Sequence, residues 1–294
     1  MIMQSEPLLQ WSEPVKEFSG FVGLFLSAGG IGFRFSALRG PVVESDRRFY
    51  DDAARHAAVL GLIGVSLTAI LLIIALPGQA AHKHLSAAAF ATSDTATMLQ
   101  IGFLLLALFG YALASGRVRA GWWLAGIGVI AGALRLVFLG QWSRLVNPVH
   151  SLAAGLWIGT LFVLVVAGLA SLLRDEPSRA RRGAIAADMV NRFSPVALTM
   201  GGVVVLFGVI TAWRHLHVLS NLWSTPYGDA LIVKLLLAAS VFLLGAWNWR
   251  RQRPTLGTEE AAVSVRRSAT GELAMAVLVL VATAIVVSLP SPKG

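Results

Sequence analysis

The sequence predicts an all-α membrane protein, a polytopic bundle of about eight transmembrane helices. Of its 294 residues, 56% are hydrophobic and only 13% are charged, whereas soluble domains carry roughly 25% charged residues. The mean hydropathy is +0.72. The apolar residues are gathered in stretches of about 18 to 25, the length that a helix needs to cross a hydrocarbon core of roughly 30 Å. The lipid bilayer is therefore the expected surroundings of most of the chain.

Eight apolar stretches with helical periodicity are predicted as the membrane helices. They cover about 17–36, 56–76, 96–115, 120–140, 150–173, 187–213, 229–249 and 268–289. Gly116, Gly140 and Pro290 mark helix ends, while Pro77 and Pro226 are expected in connections. The connections are short, so the sequence predicts no separate soluble domain.

Basic residues predict the orientation of these helices, because short loops rich in Lys and Arg are retained in the cytoplasm. One side carries few of them, namely Lys16, Lys83, Arg144, Arg214 and Lys293. The other side carries many more: Arg34, Arg39, Arg47, Arg48, Arg55, Arg117, Arg119, Arg174, Arg179, Arg181, Arg182, Arg250, Arg251, Arg253, Arg266 and Arg267. This asymmetry predicts both termini on the outer side. It also accounts for the net charge of +9 without a nucleic-acid partner.

A weak internal repeat relates the two halves of the chain. Arg55 and Gly64 have the same spacing as Arg192 and Gly201, and a His-x-His follows each of these apolar runs. The repeat predicts two parallel four-helix halves, residues 1–145 and 146–294, related by an axis along the membrane normal. Chance similarity between apolar helices is the alternative.

Five of the six histidines are predicted at the outer side, and they are the candidate metal ligands. They are His82, His84, His150, His215 and His217. The chain has no cysteine, and neutral imidazole without thiolate suits copper, zinc or nickel, with copper highest in the affinity order. We therefore expect a metal-capture site at the outer face. The alternative is that these rings lie at the interface and face water.

Further side chains inside or beside the spans are candidates for an inward path. Trp157 returns to the face of His150 after about two turns, and Gly155 with Gly159 forms a GxxxG that allows a neighbouring helix to approach closely. The candidates are Trp157, the thioethers of Met98 and Met200, and the ionisable Lys234 and Glu272. Core packing of the methionines and snorkelling of the charged groups are the alternatives.

The second half contains several short segments in a distinctive order. They are His150-Ser-Leu-Ala-Ala-Gly-Leu-Trp157-Ile-Gly159, Asn191-Arg-Phe-Ser-Pro-Val196, Ser224-Thr-Pro-Tyr-Gly228, Lys234-Leu-Leu-Leu, Gly245-Ala-Trp-Asn248 and Glu272. In this order and spacing, over about 148–290, the sequence resembles the copper resistance protein D (CopD) family of bacterial inner-membrane proteins. The first half resembles that family only in hydropathy and helix count.

The resemblance implies a protein that moves Cu(I) or Cu(II) across the bacterial inner membrane, often beside a periplasmic copper-binding protein, and not an enzyme. Two other functions are considered. One is a membrane electron carrier with haem b held by two histidines, and the other is an assembly factor that delivers copper without transporting it. No GxxxxGK[ST] segment occurs, so ATP-driven pumping by this chain is not expected.

Overall fold

The computed structural model describes residues 10–174, 181–252 and 257–292, and throughout this part of the chain the regular secondary structure is helical. Three basic residues used to predict the orientation, Arg179, Arg253 and Lys293, lie outside the described residues, as do both chain ends. In order, the helices are α1 (Ser12–Phe35), α2 (Arg47–Ala81), α3 (Ala87–Ser93), α4 (Thr95–Ser115), α5 (Arg119–Ala133), α6 (Val146–Arg174), α7 (Arg182–Leu216), α8 (Asn221–Ser224), α9 (Pro226–Gln252) and α10 (Glu259–Ser288).

Seven of the described helices are long and apolar enough to cross a membrane, namely α1, α2, α4, α6, α7, α9 and α10. The remaining predicted stretch, 120–140, corresponds to the shorter apolar helix α5. The predicted all-α polytopic bundle is therefore confirmed. Helix α6 is continuous but contains two π-helical stretches, Gly155–Gly159 and Leu164–Leu169.

Helix α5 ends earlier than the sequence predicted. It stops at Ala133 rather than near 140, and its 15 residues span only about 22 Å. Leu134 leaves helical geometry, a 3₁₀ turn follows at Arg135–Val137, and Gly140 has a φ of +67°. Hydropathy alone did not detect this break because the residues after Ala133 are still mostly apolar.

Two prolines also lie differently from the prediction. Pro77 is inside α2, which continues to Ala81, although a proline there removes one helical hydrogen bond and crowds the preceding turn. Pro226 is the first residue of α9. At that position the missing N–H has no intrahelical acceptor in any case.

Helix α1 crosses α6 at close range through glycine. A Cβ on Gly29 would lie 2.3 Å from the carbonyl carbon of Gly159, and a Cβ on Gly159 would lie 2.1 Å from the carbonyl oxygen of Phe25. Gly155 also faces α1, where its nearest side chain is Ala28. Helix α1 is therefore the neighbour for which the predicted GxxxG makes room.

One buried apolar core includes residues from both predicted halves. Phe33 and Tyr111 from the first half and Leu164, Met189 and Val265 from the second all belong to it. The division at residue 145 stays a prediction. Helices α2 and α7, which carry the repeat landmarks, are both 35 residues long, and each ends beside its His-x-His.

Exposed tryptophans lie at both ends of the bundle. Trp11, Trp142, Trp213 and Trp223 are at the predicted outer ends, while Trp123, Trp247 and Trp249 are at the opposite ends. Tryptophan is enriched where a bundle meets the two membrane interfaces. The distribution is that of a bundle inserted across a bilayer.

Candidate functional site

One face of α9 carries a row of residues that contact the other helices of the second half. Tyr227, Lys234, Val241 and Asn248 follow one another at intervals of seven residues, and such positions stay on one helix face with a drift of about 20° per heptad. Tyr227 and Val241 are buried, and the polar Lys234 and Asn248 are half-buried. We call this row the α9 face.

At the outer end, the α9 face meets His215 of α7. The His215 ring lies parallel to the ring of Tyr227, with an interplanar angle of 12° and centroids 6.2 Å apart. Its Nδ1 lies 2.9 Å from the carbonyl oxygen of Thr211. The Thr211 hydroxyl in turn donates to Oδ1 of Asn147 at 2.9 Å, which links the outer ends of α6 and α7.

His150 of α6 is held by α7 one level deeper. Its Nδ1 lies 2.9 Å from the carbonyl oxygen of Val204, and since a carbonyl only accepts, the ring donates from Nδ1 and its Nε2 keeps a free lone pair. The same geometry at His215 leaves its Nε2 free as well. Lys234 of α9 lies close enough for its charge to act on the His150 ring.

These two histidines lie at different depths along α7 and do not form one cluster. Their backbone acceptors, Val204 and Thr211, are seven residues apart on α7, which corresponds to about 10 Å along the helix. His217 is exposed just beyond the end of α7, with a φ of +58°. Over the described residues, no three His, Asp or Glu side chains come together as a metal site.

His82 and His84 lie in the first half, at the turn between α2 and α3, and both are exposed. Between them, Lys83 Nζ binds Asp94 Oδ1 at 2.9 Å and lies 5.0 Å from the centre of the Phe90 ring. Hydrogen bonds from Lys83 and Thr97 lower the pKa of Asp94 below its ordinary value. The described contacts fix this turn against the start of α4 and do not bring it to His215.

An aromatic pair closes the middle of the interface. Trp157 of α6 and Phe242 of α9 have ring centroids 4.6 Å apart, and both rings lie over Gly201 of α7. Met200 is the residue before Gly201 and is half-buried. Met98 lies on α4 in the first half and is 51% exposed, so it is not part of this interface.

At the inner end, the α9 face meets Glu272 of α10. Asn248 Nδ2 donates to Glu272 Oε1 at 2.6 Å, and a Cβ on Gly245 would lie 3.5 Å from Oε2. One turn closer to the inner surface, the Gln252 amide donates to the hydroxyl of Ser268. From outside to inside, the interface therefore has a histidine level, an aromatic level and a carboxyl level.

A second polar cluster lies at the inner ends of α2 and α7, around a cavity of about 290 Å³. Arg181 binds Asp46 at 3.0 Å, and Arg192 binds Asp188 at 2.6 Å as the i,i+4 pair expected on α7. The Tyr50 hydroxyl donates to Asp188 at 3.4 Å. This network ties the connection before α2 to the start of α7.

The sequence does not predict Phe242 or Gly208 as site residues, although Gly208 of α7 lies directly against the His150 ring. Tyr227 and Asn248 occur in the sequence prediction only within the family-like segments. The heptad interval through Lys234 was the available signal for Tyr227 and Asn248. Phe242 and Gly208 carry no comparable signal, because an apolar ring and a glycine are ordinary residues of membrane helices.

Comparison with known proteins finds similarity to copper-handling proteins in the second half. Residues 187–286 match the family model described as copper resistance protein D. The chain is also 32% identical over 151 residues to the copper transport protein CutJ of Bacillus subtilis (strain 168), a match that covers 50% of this chain and 25% of that relative's length. No solved structure matches the chain. Over this carboxyl-terminal region, the chain is similar to the copper resistance protein D family, and it spans about a quarter of the length of the curated relative that it matches.

Proposed function

We propose that this chain conducts copper ions across the bacterial inner membrane, along the α9 face. The observation that carries the proposal is the order of His215, His150, the Trp157–Phe242 pair and Glu272 along α9, from its outer end to its inner end. The family supports copper as the cargo, and so does the relative that is named a copper transport protein. The proposal includes no catalytic activity.

The outer histidines are the proposed entry. His150 and His215 each offer an Nε2 whose ring is fixed by a carbonyl on the opposite nitrogen, the arrangement usual for metal-binding histidines. His217 is exposed at the mouth and is proposed to take the ion first. His82 and His84 are the corresponding outer pair of the first half.

Lys234 is proposed to favour the passage of a copper ion over its tight binding at His150. The charge of Lys234 on α9 acts on the His150 ring, and like charges repel most strongly where water is scarce. A copper ion at His150 is therefore held weakly, and conduction requires a site that an ion can also leave. Met200, beside Gly201, is the proposed next soft ligand inward.

The aromatic pair is the proposed barrier between the outer and inner levels. Trp157 and Phe242 fill the interface over Gly201, and a dry apolar constriction opposes the passage of ions. Conduction then requires these rings to move. We also propose that both termini are outside, and that a periplasmic copper-binding protein supplies the ion.

The test is copper flux in liposomes that contain the full chain, after metal analysis of the purified protein exposed to Cu(I) and to Cu(II). The variant H215A/H217A should bind less copper, and H150A should lower the flux, while both retain their helical content. The control is S240A, which removes a half-buried hydroxyl that donates to the Leu236 carbonyl of its own helix. Unchanged copper binding in a variant lacking all five outer histidines would contradict the entry site.

Two results would replace the proposal with another function. A reduced-minus-oxidised optical spectrum with haem bands would identify an electron carrier. Copper binding without any flux in sealed liposomes would identify a delivery factor. Both measurements use the same purified protein.

A further inference from the structure

The carboxyl group of Glu272 is unusual in its surroundings. Its Oε1 accepts a hydrogen bond from the neutral amide of Asn248 at 2.6 Å, and its Oε2 faces Gly245, where no side chain fills the space. The residue is half-buried, inside a helix that is apolar enough to cross the membrane. A charged carboxylate is costly there, and one neutral hydrogen bond does not offset that cost.

No cationic side chain within the described part of the chain compensates Glu272. The charged groups at the inner ends of the helices packed against α10 are Arg34 on α1, Arg174 on α6, Arg182, Asp188 and Arg192 on α7, and Arg250 and Arg251 on α9. Arg182 donates to the carbonyl oxygen of Leu172. Arg192 is paired with Asp188 instead. On α10 itself, Arg266 and Arg267 are exposed. Glu272 is half-buried, and the Asn248 amide is its hydrogen-bond donor.

The negative charge of Glu272 is therefore expected to be balanced by an exchangeable cation, either a proton on the carboxyl group or a metal ion near it. We propose that Glu272 is a proton-exchange site, and that the carboxyl group binds a proton at Oε2 whenever no copper ion is near the inner mouth. When a copper ion arrives, Glu272 releases this proton, and the carboxylate charge then balances the cation through space. The inference rests on the proposed copper conduction and adds its driving force, which is exchange of copper for protons.

Two neighbours support proton binding and not a merely structural role. Gly245 places no side chain beside Oε2, and the Gln252–Ser268 pair one turn nearer the inner surface continues the polar contact from Glu272 toward the arginines at the inner ends of α9 and α10. A chain of polar groups from a buried carboxyl to the surface is what a proton needs in order to enter and leave.

The experiment uses the full chain in liposomes with copper as the only added metal. A pH difference is imposed without a copper gradient, and a pH-sensitive dye inside the liposomes reports proton movement. For one-for-one exchange, copper should accumulate on the acidic side by up to about tenfold per pH unit. E272Q should lose this accumulation and the proton signal, but should still exchange labelled copper between equal concentrations, and E272D should restore part of the coupling.

The matched control is D229N, which removes an exposed carboxylate in the first turn of α9, the helix that carries Asn248. This variant should behave as wild type. N248L, which removes the hydrogen bond, should shift the pH dependence of transport if E272Q does not fold. Copper flux without proton movement in the wild type, or accumulation on the alkaline side, would overturn the exchange. Absence of all copper flux in the wild type would instead overturn the proposed function.

Discussion

At the scale of single residues, the position of the His150 ring depends on the absence of a side chain opposite it. Nδ1 is fixed by the carbonyl of Val204, and the ring edge rests on Gly208 of α7. A Cβ on Gly208 would lie 3.1 Å from Cε1 of His150. This contact is tighter than normal, so the ring would have to move.

We expect G208A to weaken copper binding at the histidine level several-fold, because a metal ligand must be held within about 0.5 Å of its productive position. Competition titration with a Cu(I) chelator measures the change. The control is G202A on the same helix, where an added Cβ meets nothing within 4 Å. Equal affinities for G208A and G202A would contradict the role given to the His150 ring.

Asp94 is a second residue with a measurable role, since it caps α4 and binds Lys83. Its carboxylate accepts from the Thr97 N–H at 3.0 Å and from Lys83 at 2.9 Å. D94A should lower the free energy of unfolding by about 1 kcal/mol, the usual cost of losing an N-cap. D94N should keep the cap but lose the charge interaction with Lys83.

The pH dependence follows from the lowered pKa of Asp94. A lowered pKa in the folded state means that the stabilisation is present above the ordinary value of 3.8 and is lost as the pH falls through the lower folded value. The difference in thermal midpoint between wild type and D94N should therefore shrink below pH 3.8. A difference that is independent of pH would show that the charge of Asp94 contributes nothing.

At the scale of helices, the α1–α6 crossing depends on backbone contact. The atoms nearest to a Cβ on Gly159 are the carbonyl atoms of Phe25, and the distance to the oxygen is 2.1 Å. A backbone carbonyl cannot move aside as the end of a flexible side chain can. The two helices would have to separate.

We expect G159A to lower the free energy of unfolding by about 1–3 kcal/mol, the range for overpacking a tight contact. Thermal unfolding in detergent, followed by loss of helical signal, measures it. G102A on α4 is the matched control, because a Cβ there meets nothing within 4 Å. If G159A is as stable as G102A, the crossing is looser than the distances indicate.

At the scale of the whole molecule, the charge asymmetry predicts how the bundle is inserted. Alkaline phosphatase, which is active only outside the cytoplasm, should be active when fused at Gly140 or Gly294, and inactive when inserted in the α6–α7 or α9–α10 connections. Activity in either connection, or none at Gly294, would contradict the orientation. The exposed tryptophans at both ends of the bundle fit either orientation and therefore do not replace this test.

The repeat is also a question for the whole molecule. Helices α1 and α6 begin the two predicted halves, and they cross at Gly29 and Gly159. An axis along the membrane normal through this crossing would relate α2 to α7, the two 35-residue helices that end beside His-x-His. An experimental structure in which α2 and α7 do not occupy equivalent positions about that axis would show the repeat to be chance.

The sequence by itself determined that the chain is a membrane bundle, where most of its helices lie, and which family its second half resembles. Hydropathy supports the first two conclusions because each helix in lipid must be apolar over its own length and must satisfy its own backbone hydrogen bonds. The ordered segments of the second half carry the third. Local geometry was less predictable. The end of α5 at Ala133 and the position of Pro77 inside α2 depend on backbone conformations that an apolar composition does not reveal.

Only the tertiary structure decided which candidate residues lie near one another. The sequence selected His150, His215, Trp157, Lys234 and Glu272 by type, and the packing of α6, α7, α9 and α10 aligns them as separate levels along the α9 face instead of one histidine cluster. Met98, chosen for the same chemistry, lies outside this interface. Distances between residues on different helices depend on which helix faces pack together. Contacts such as Gly29 against Gly159 determine that packing. Each such contact involves two helices, so the sequence of one helix does not reveal it.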